Sequence, residues 1–257
     1  MALGVFVRFV DNYFVLSNIF DYKHYTCIEN RYLSIFYNER KKMDIAIEKS
    51  LQQYTTHIID HATLSSIILN NGFTGINDKI NKLKRKGYIE TLKRGLYLHI
   101  SPFVTNPISK EIIANTMLSP SYISFDYALS YHGLIPESVF DITSATTKRS
   151  KSFKTNNGTF SFIHVKKELF SVGLTIESTK NGNFIIASKE KALCDKVNYT
   201  KDIQITSKKS MINFLVDDLR IDVDELEDYD MNIFIKYLEI SKSKKIKFLT
   251  EALEDIA

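Results

Sequence analysis

Cysteine is scarce in this 257-residue chain: Cys27 and Cys194 stand far apart and make no CxxC. That argues against a disulfide framework or a zinc site and fits a reducing cytoplasm. No apolar run reaches the roughly 18 residues a membrane helix needs, so no membrane partner is expected. Linkers rich in Gly, Ser or Pro are missing, as are repeats and low-complexity tracts. There is no GxSxG, no Walker loop, no HExxH and no glycine-rich nucleotide fingerprint. Charge of either sign is not in large excess either. A net charge of +4 permits nucleic-acid binding without requiring it, so the location of the charge decides.

What is present is distributed unevenly. Residues 43–100 carry eight Lys+Arg against five Asp+Glu, residues 101–200 eleven against eight, and residues 201–257 nine against thirteen. The densest positive stretch is Thr74–Arg94, with seven basic and two acidic residues. A second knot, "KRSKSFK" from Lys148 to Lys154, has four basic residues and no acidic one. Apolar content of 44% supports a core of one large or two modest domains. The first 42 residues are unusual, holding ten of the 17 Phe and 14 Tyr. Arg8 and Asp11 interrupt their apolar part and no small-residue cleavage site follows, so a signal peptide is not expected. Two readings stand for 1–42: an extension from a misplaced start codon, or a genuine aromatic-rich strand or helical arm. N-terminal mass spectrometry of the native protein separates them.

From Met43 the pattern reads helix, helix, helix, hairpin. "MDIAIEKSLQQY" is a helix. "ATLSSIILNNG" is a second, with Thr63 as N-cap and Gly72 just past its end. "TGINDKINKLKRKG" is a third. Ile76, Ile80 and Leu83 share one face, and Thr74, Asp78, Asn81, Lys82 and Arg85 lie opposite, with Asn77 at the edge. Then "YIETL" and "LYLHI" flank "KRG" as a hairpin, with Gly95 supplying the turn's positive φ. That order in under 60 residues is the order of a winged helix-turn-helix, whose third helix enters a major groove. After Pro102, "ISKEIIANTML", "SPSYISFDYALSYHG" and "SKEKALCDKV" read as helices. Tyr122, Phe125, Leu129 and His132 line one face of the second of these. "FDITSATT", "GTFSFIHV", "VGLTIES" and "NFIIAS" read as strands. Three amphipathic helices close the chain. The fold class expected is α+β: a winged helix-turn-helix over 43–100, a mixed α+β domain over 101–200 and an acidic helical region over 201–257, after the extension 1–42.

Metal and catalytic readings are weak. His57 and His61 have the i, i+4 spacing of helical ligands, but no third ligand is apparent. His132 reads as a helix C-terminal residue, and His164 as half-buried beside Phe160 and Phe162. Asp141, Glu190 and Lys191 could mimic a metal-dependent nuclease. Yet Glu190 and Lys191 lie in a helix whose Lys189, Lys191 and Lys196 read as surface residues, with Ala192, Leu193 and Val197 buried. No cofactor, no metal and no enzyme activity is expected.

Four stretches in order, "KGYIETLKRGLYL", "SPSYISFDYALSYHGLIPE", "ITSATTKRSKSFKTNNGTFSFIHV" and "FIIASKEKALCDKV", resemble the AbiEi-type antitoxins. These are the transcriptional regulators of bacterial abortive-infection toxin–antitoxin systems. The similarity runs from about residue 45 to 200. Residues 1–42 have no counterpart, and 201–257 match only as a helical tail. The resemblance implies a winged helix-turn-helix that binds repeats in its own promoter and represses a two-gene operon. It also implies an antitoxic region after residue 101 and a nucleotidyltransferase-like toxin encoded next door.

With that resemblance, the third helix reads as a DNA-contacting element rather than a merely solvated face. Asn77, Asn81 and Arg85 would read bases, since Asn suits adenine and Arg suits guanine. Lys82, Lys84, Lys93 and Arg94 would neutralise phosphates, with Thr74 at the helix start. Asp78 on the same face repels phosphate, although it can accept from cytosine N4 or orient Lys82. Lys148, Arg149, Lys151 and Lys154 form a secondary basic patch, which on its own reads as a solvated loop. The expected partner is double-stranded DNA of the chain's own promoter, in the cytoplasm. Two rivals are a protein-interaction module that neutralises the toxin by contact and a metal-dependent nuclease.

Overall fold

The computed structural model describes residues 7–10, 13–16, 45–100, 109–201, 203–222 and 229–255. The chain divides into two compact units, Met1–Lys49 and Ser50–Ala257. In the first, β1 (Val7–Val10) and β2 (Tyr13–Leu16) pair antiparallel, with Val7 opposite Leu16. The rest of the aromatic-rich 1–42 lies outside the described residues. A helix, α1 (45–51), buries Ile47 and Leu51.

The second unit begins with a small sheet and two helices. β3 (Ile58–Asp60) leads into α2 (His61–Asn70), then α3 (Ile76–Arg85), then the hairpin of β4 (Ile89–Lys93) and β5 (Leu96–His99). The three strands are ordered β3-β5-β4, all antiparallel. β3 was not legible in the sequence, because three residues are too few to show a period. The N-cap of α2 is Asp60 rather than Thr63. Its carboxylate accepts from the Ala62 and Thr63 amides at 2.9 and 3.0 Å and from the Thr63 hydroxyl at 2.7 Å. Those bonds, the Thr63 hydroxyl first, hold its pKa below the ordinary value.

The β4–β5 hairpin and α2 are tied together. The His61 amide donates to the Gly95 carbonyl at 2.9 Å, and Gly95 turns the hairpin at φ +79°. α3 ends as its sequence requires. Gly87 takes φ +72°, its amide reaches Lys84 O, and the Tyr88 amide reaches Leu83 O, both at 3.0 Å. That pair of bonds is a Schellman motif, which satisfies carbonyls the last turn leaves open.

A six-stranded mixed sheet follows, ordered β10-β11-β6-β7-β9-β8. Its strands are β6 (Ser121–Ile123), β7 (Ile142–Thr146), β8 (Lys151–Thr155), β9 (Gly158–His164), β10 (Leu174–Thr179) and β11 (Gly182–Ala187). The expected helix over "SPSYISFDYALSYHG" is in fact β6 followed by the short α5 (Phe125–Tyr131). Tyr122 therefore points from a strand, not from the helix that carries Phe125 and Leu129. The knot "KRSKSFK" is likewise not a loop throughout, since Lys151 starts the edge strand β8.

α4 (Lys110–Met117), α5 and α6 (Lys189–Tyr199) accompany the sheet, followed by α7 (Lys208–Asn213), a π-helical turn (Phe214–Asp218), α8 (Met231–Ser241) and α9 (Lys244–Glu254). Each of these α-helices has a seryl or aspartyl N-cap residue with extended backbone, and in α4, α6, α7 and α8 the cap side chain accepts from an amide of the first turn. One continuous hydrophobic cluster runs from Ile58 in the small sheet through Tyr122, Phe160 and Phe162 to Tyr237 and Leu253. The regions expected as 43–100, 101–200 and 201–257 thus share a core from residue 58 onward.

Candidate nucleic-acid interface

α3 is amphipathic as its spacing predicts. Ile80 and Leu83 are buried, while Asn77, Asp78, Asn81, Lys84 and Arg85 are exposed, as is Thr74 before the helix. Lys82 is only partly exposed. Lys79, unremarked in the sequence, is 5% exposed and places its ammonium 3.6 Å from the centre of the Phe73 ring. That cation–π contact joins the loop before α3 to the helix. The outward face of α3 thus carries two amides, two cations and the Asp78 carboxylate on a helix docked by an apolar stripe. Such a set can both neutralise phosphate and pair with base edges.

The hairpin tip divides its two cations. Arg94 is exposed, whereas Lys93 is partly buried and donates to the Met117 carbonyl at 2.5 Å, at the end of α4. Lys148 donates to the Ser119 carbonyl, also at 2.5 Å. Two ammonium groups thus converge where α4 ends, Lys93 on the carbonyl of its last residue and Lys148 on that of Ser119 just beyond it. Burial first, then the nearby charges of Lys148 and Lys151, lowers the Lys93 pKa. The β4–β5 hairpin and the patch, separate in the sequence, are adjacent here. The other end of β4 is fastened to the turn between β8 and β9, since Glu90 accepts from the Asn156 amide at 3.2 Å and from Asn157 Nδ2 at 3.3 Å.

No family model matches this chain, and no curated protein matches it. Among solved structures the chain is similar to the RV2827C protein from Mycobacterium tuberculosis. The crystal structure of that protein aligns over 82% of this chain and 77% of its own, with TM-score 0.55 and 11% sequence identity. The shared feature is the fold.

The metal and nuclease candidates take other roles. His57 and His61 are not on one helix, because His57 precedes β3 with φ +57° and His61 opens α2. His57 instead faces His99 at 6.1 Å between ring centroids, and His61 Nδ1 lies 3.3 Å from the Tyr97 hydroxyl. His132 caps α5 as expected and ties it to β11 through Nε2 and the Ala187 carbonyl, at 2.8 Å. His164 is exposed, not half-buried, and its Nδ1 lies 3.1 Å from the Lys148 carbonyl. β9 alternates, so His164 shares a face with Phe160 and Phe162 but sits at the strand's solvent end.

Asp141 accepts from the Thr159 amide at 3.2 Å, and Glu190 from the Asp230 amide at 3.3 Å. Each carboxylate therefore fastens a different piece of backbone. Among the described residues no cluster of three or more His, Cys, Asp or Glu could hold a metal ion.

Lys191 corrects the sequence reading most sharply. It is fully buried, not a surface residue. Its ammonium donates to the Leu169 carbonyl at 2.7 Å and to Asp195 Oδ1 at 3.1 Å. Asp195 also accepts from the Tyr237 hydroxyl at 2.8 Å, the Tyr122 hydroxyl at 2.9 Å and the Ser124 hydroxyl at 2.8 Å. Burial, then the Asp195 charge, pushes both phenols far above their ordinary pKa. Lys196 is partly exposed and pairs with Asp126 at 2.6 Å. The i, i+4 spacing of Lys191 and Asp195 was visible, but nothing in the sequence distinguishes a buried pair from a solvated one. The neighbouring Cys194 is buried too, and burial raises its thiol pKa, so it is an inert core thiol.

Proposed function

We propose that this chain is a winged helix-turn-helix DNA-binding autorepressor and the antitoxin of a bacterial abortive-infection operon. In this reading α2 and α3 form the helix-turn-helix and β4–β5 the wing. The observation that carries it is the exposed face of α3, with Asn77, Asn81, Lys84 and Arg85 outward over buried Ile80 and Leu83. It lies between a preceding helix and a basic hairpin, an order that suits major-groove entry. Asn77, Asn81 and Arg85 read bases, and Lys82, Lys84 and Arg94 contact phosphates. The antitoxin role, the promoter repeats and the nucleotidyltransferase-like toxin rest on the resemblance to the AbiEi-type antitoxins.

The test is a gel-shift titration of DNA from upstream of the chain's own gene at several salt concentrations. Lys84→Ala with Arg85→Ala should weaken binding and reduce the slope of log affinity against log salt by about 0.9, for the one phosphate contact of Lys84, while the loss of Arg85 removes base recognition. An unchanged slope removes α3 from the interface.

A second reading has its own observation. Ile176 and Ile185 are cross-strand neighbours on β10 and β11, and are 69% and 38% exposed. An apolar pair on an outer hairpin suits protein contact, so the antitoxic step would be direct binding of the toxin. Co-purification of the neighbouring gene product, lost in Ile176→Glu, is the expected outcome of that reading.

A further inference from the structure

Three ammonium groups, Lys93, Lys148 and Lys151, crowd where the wing meets the start of β8. The crowding is structural. Lys93 and Lys148 are each held on a carbonyl two residues apart, Met117 and Ser119. Lys151 lies over the Phe153 ring, 4.9 Å from its centre, which fixes its stem against the sheet. None of the three lies within ion-pair distance of a carboxylate among the described residues. Arg94 and Arg149, both exposed, flank them in the hairpin turn and in the turn before β8.

Like charges held together without counter-ions repel, and that repulsion is relieved by an anion of matching spacing. The bland account is that lysines on an edge strand deter strand pairing. It explains Lys154, which alternates onto the face with Ser152, away from the side on which Phe153 packs against Phe162. It does not explain why lysines from β4, from the turn after β7 and from β8 are steered to one place.

We infer that the wing and edge strand β8 form one phosphate-binding strip, through which the α+β region, and not only the helix-turn-helix, grips the backbone of duplex DNA. The inference rests on the DNA-binding reading above and extends it to a second part of the fold. Lys93, Arg94, Lys148 and Lys151 make the strip, and Lys154 lies outside it. Such contacts carry no sequence information; they set register and supply salt-dependent affinity. Glu90, occupied by Asn156 and Asn157, marks the end of the strip at the far end of β4.

The test uses the full chain and a 30-base-pair duplex of arbitrary sequence, with binding followed by fluorescence anisotropy at several salt concentrations. Lys151→Gln removes the charge and keeps a polar side chain, and the Lys151 ammonium donates to no carbonyl among the described residues, so folding is preserved. It should lower the salt slope by about 0.9 and weaken binding several-fold at low salt. Lys154→Gln, an identical charge change three residues away, should leave the slope unchanged. Equal losses in the two variants would overturn the strip in favour of diffuse charge. An unchanged Lys151→Gln slope beside a reduced Lys84→Ala/Arg85→Ala slope would overturn the strip and leave the helix-turn-helix reading standing. Binding of poly-glutamate but not of the duplex would overturn both, in favour of an acidic protein partner.

Discussion

His57 and His99 are the residues whose energetics are most exposed to solution conditions. Both imidazoles are buried, at 7% and 0% exposure, and none of their ring nitrogens has a hydrogen-bond partner. Burial first, then the neighbouring His57, pulls the His99 pKa from 6.5 to about 4, and burial lowers that of His57. A lowered histidine pKa means the fold favours the neutral ring. In the unfolded chain the ring takes up a proton as pH falls below about 6.5, whereas in the folded chain it resists until about pH 4. Stability is therefore full above pH 6.5 and is lost progressively down to pH 4, on the order of 3 kcal/mol for His99. Urea midpoints measured between pH 7.5 and 4.5 should fall steeply in the wild type and less so in His99→Phe. Parallel curves would show that the pair does not set the acid sensitivity.

At the scale of elements, α6 is the hub. Through Asp195 it holds Tyr122 of β6, Ser124 at the head of α5 and Tyr237 of α8 on one carboxylate. Through Lys191 it holds the Leu169 carbonyl of the 3₁₀ turn at Lys167–Leu169. Glycine at 173 is part of the same junction. At φ +59° an added Cβ would come within 2.9 Å of Lys191 Cβ and 3.1 Å of Ile233 Cγ2. A fully satisfied buried network specifies one arrangement of the elements it joins, and removing one charge leaves the other uncompensated. Asp195→Ala should therefore cost roughly 3–5 kcal/mol by denaturant titration. Lys191→Met with Asp195→Leu should recover only part of that loss, because it removes the uncompensated charge but leaves the Tyr122, Ser124 and Tyr237 hydroxyls without their shared acceptor. A single variant as stable as wild type would remove α6 from this role.

For the whole molecule, the continuity of the core decides behaviour. The hydrophobic cluster includes Leu92, Leu96 and Leu98 of the β4–β5 hairpin together with the buried faces of the large sheet, α6, α8 and α9. Elements that share one core unfold together. Thermal unfolding of the Ser50–Ala257 unit should show one transition, with amides of β5 and β9 exchanging at the same free energy under native conditions. Removing α8 and α9 should abolish that transition rather than trim it, since Phe234, Tyr237, Leu249 and Leu253 are buried. Separate exchange of β5 well before β9 would show that the small-sheet region folds by itself. Among the described residues no helix is long and apolar enough to cross a membrane.

The sequence by itself determined the periodic parts. The stripe Ile80–Leu83 and the stop at Gly87 specified α3 and its outward polar face, because period and capping are local properties. Most sheet strands and the later helices were legible for the same reason. β3, β6 and β8 were not: two are three residues long, and the third is masked by lysines that read as loop. Tertiary structure alone decided the pairings. It buried Lys191 by surrounding it with Asp195, a carbonyl and two phenols, set His57 against His99, and brought Lys93 beside Lys148 and Lys151. Burial and through-space charge depend on residues tens of positions apart, and no local pattern encodes them.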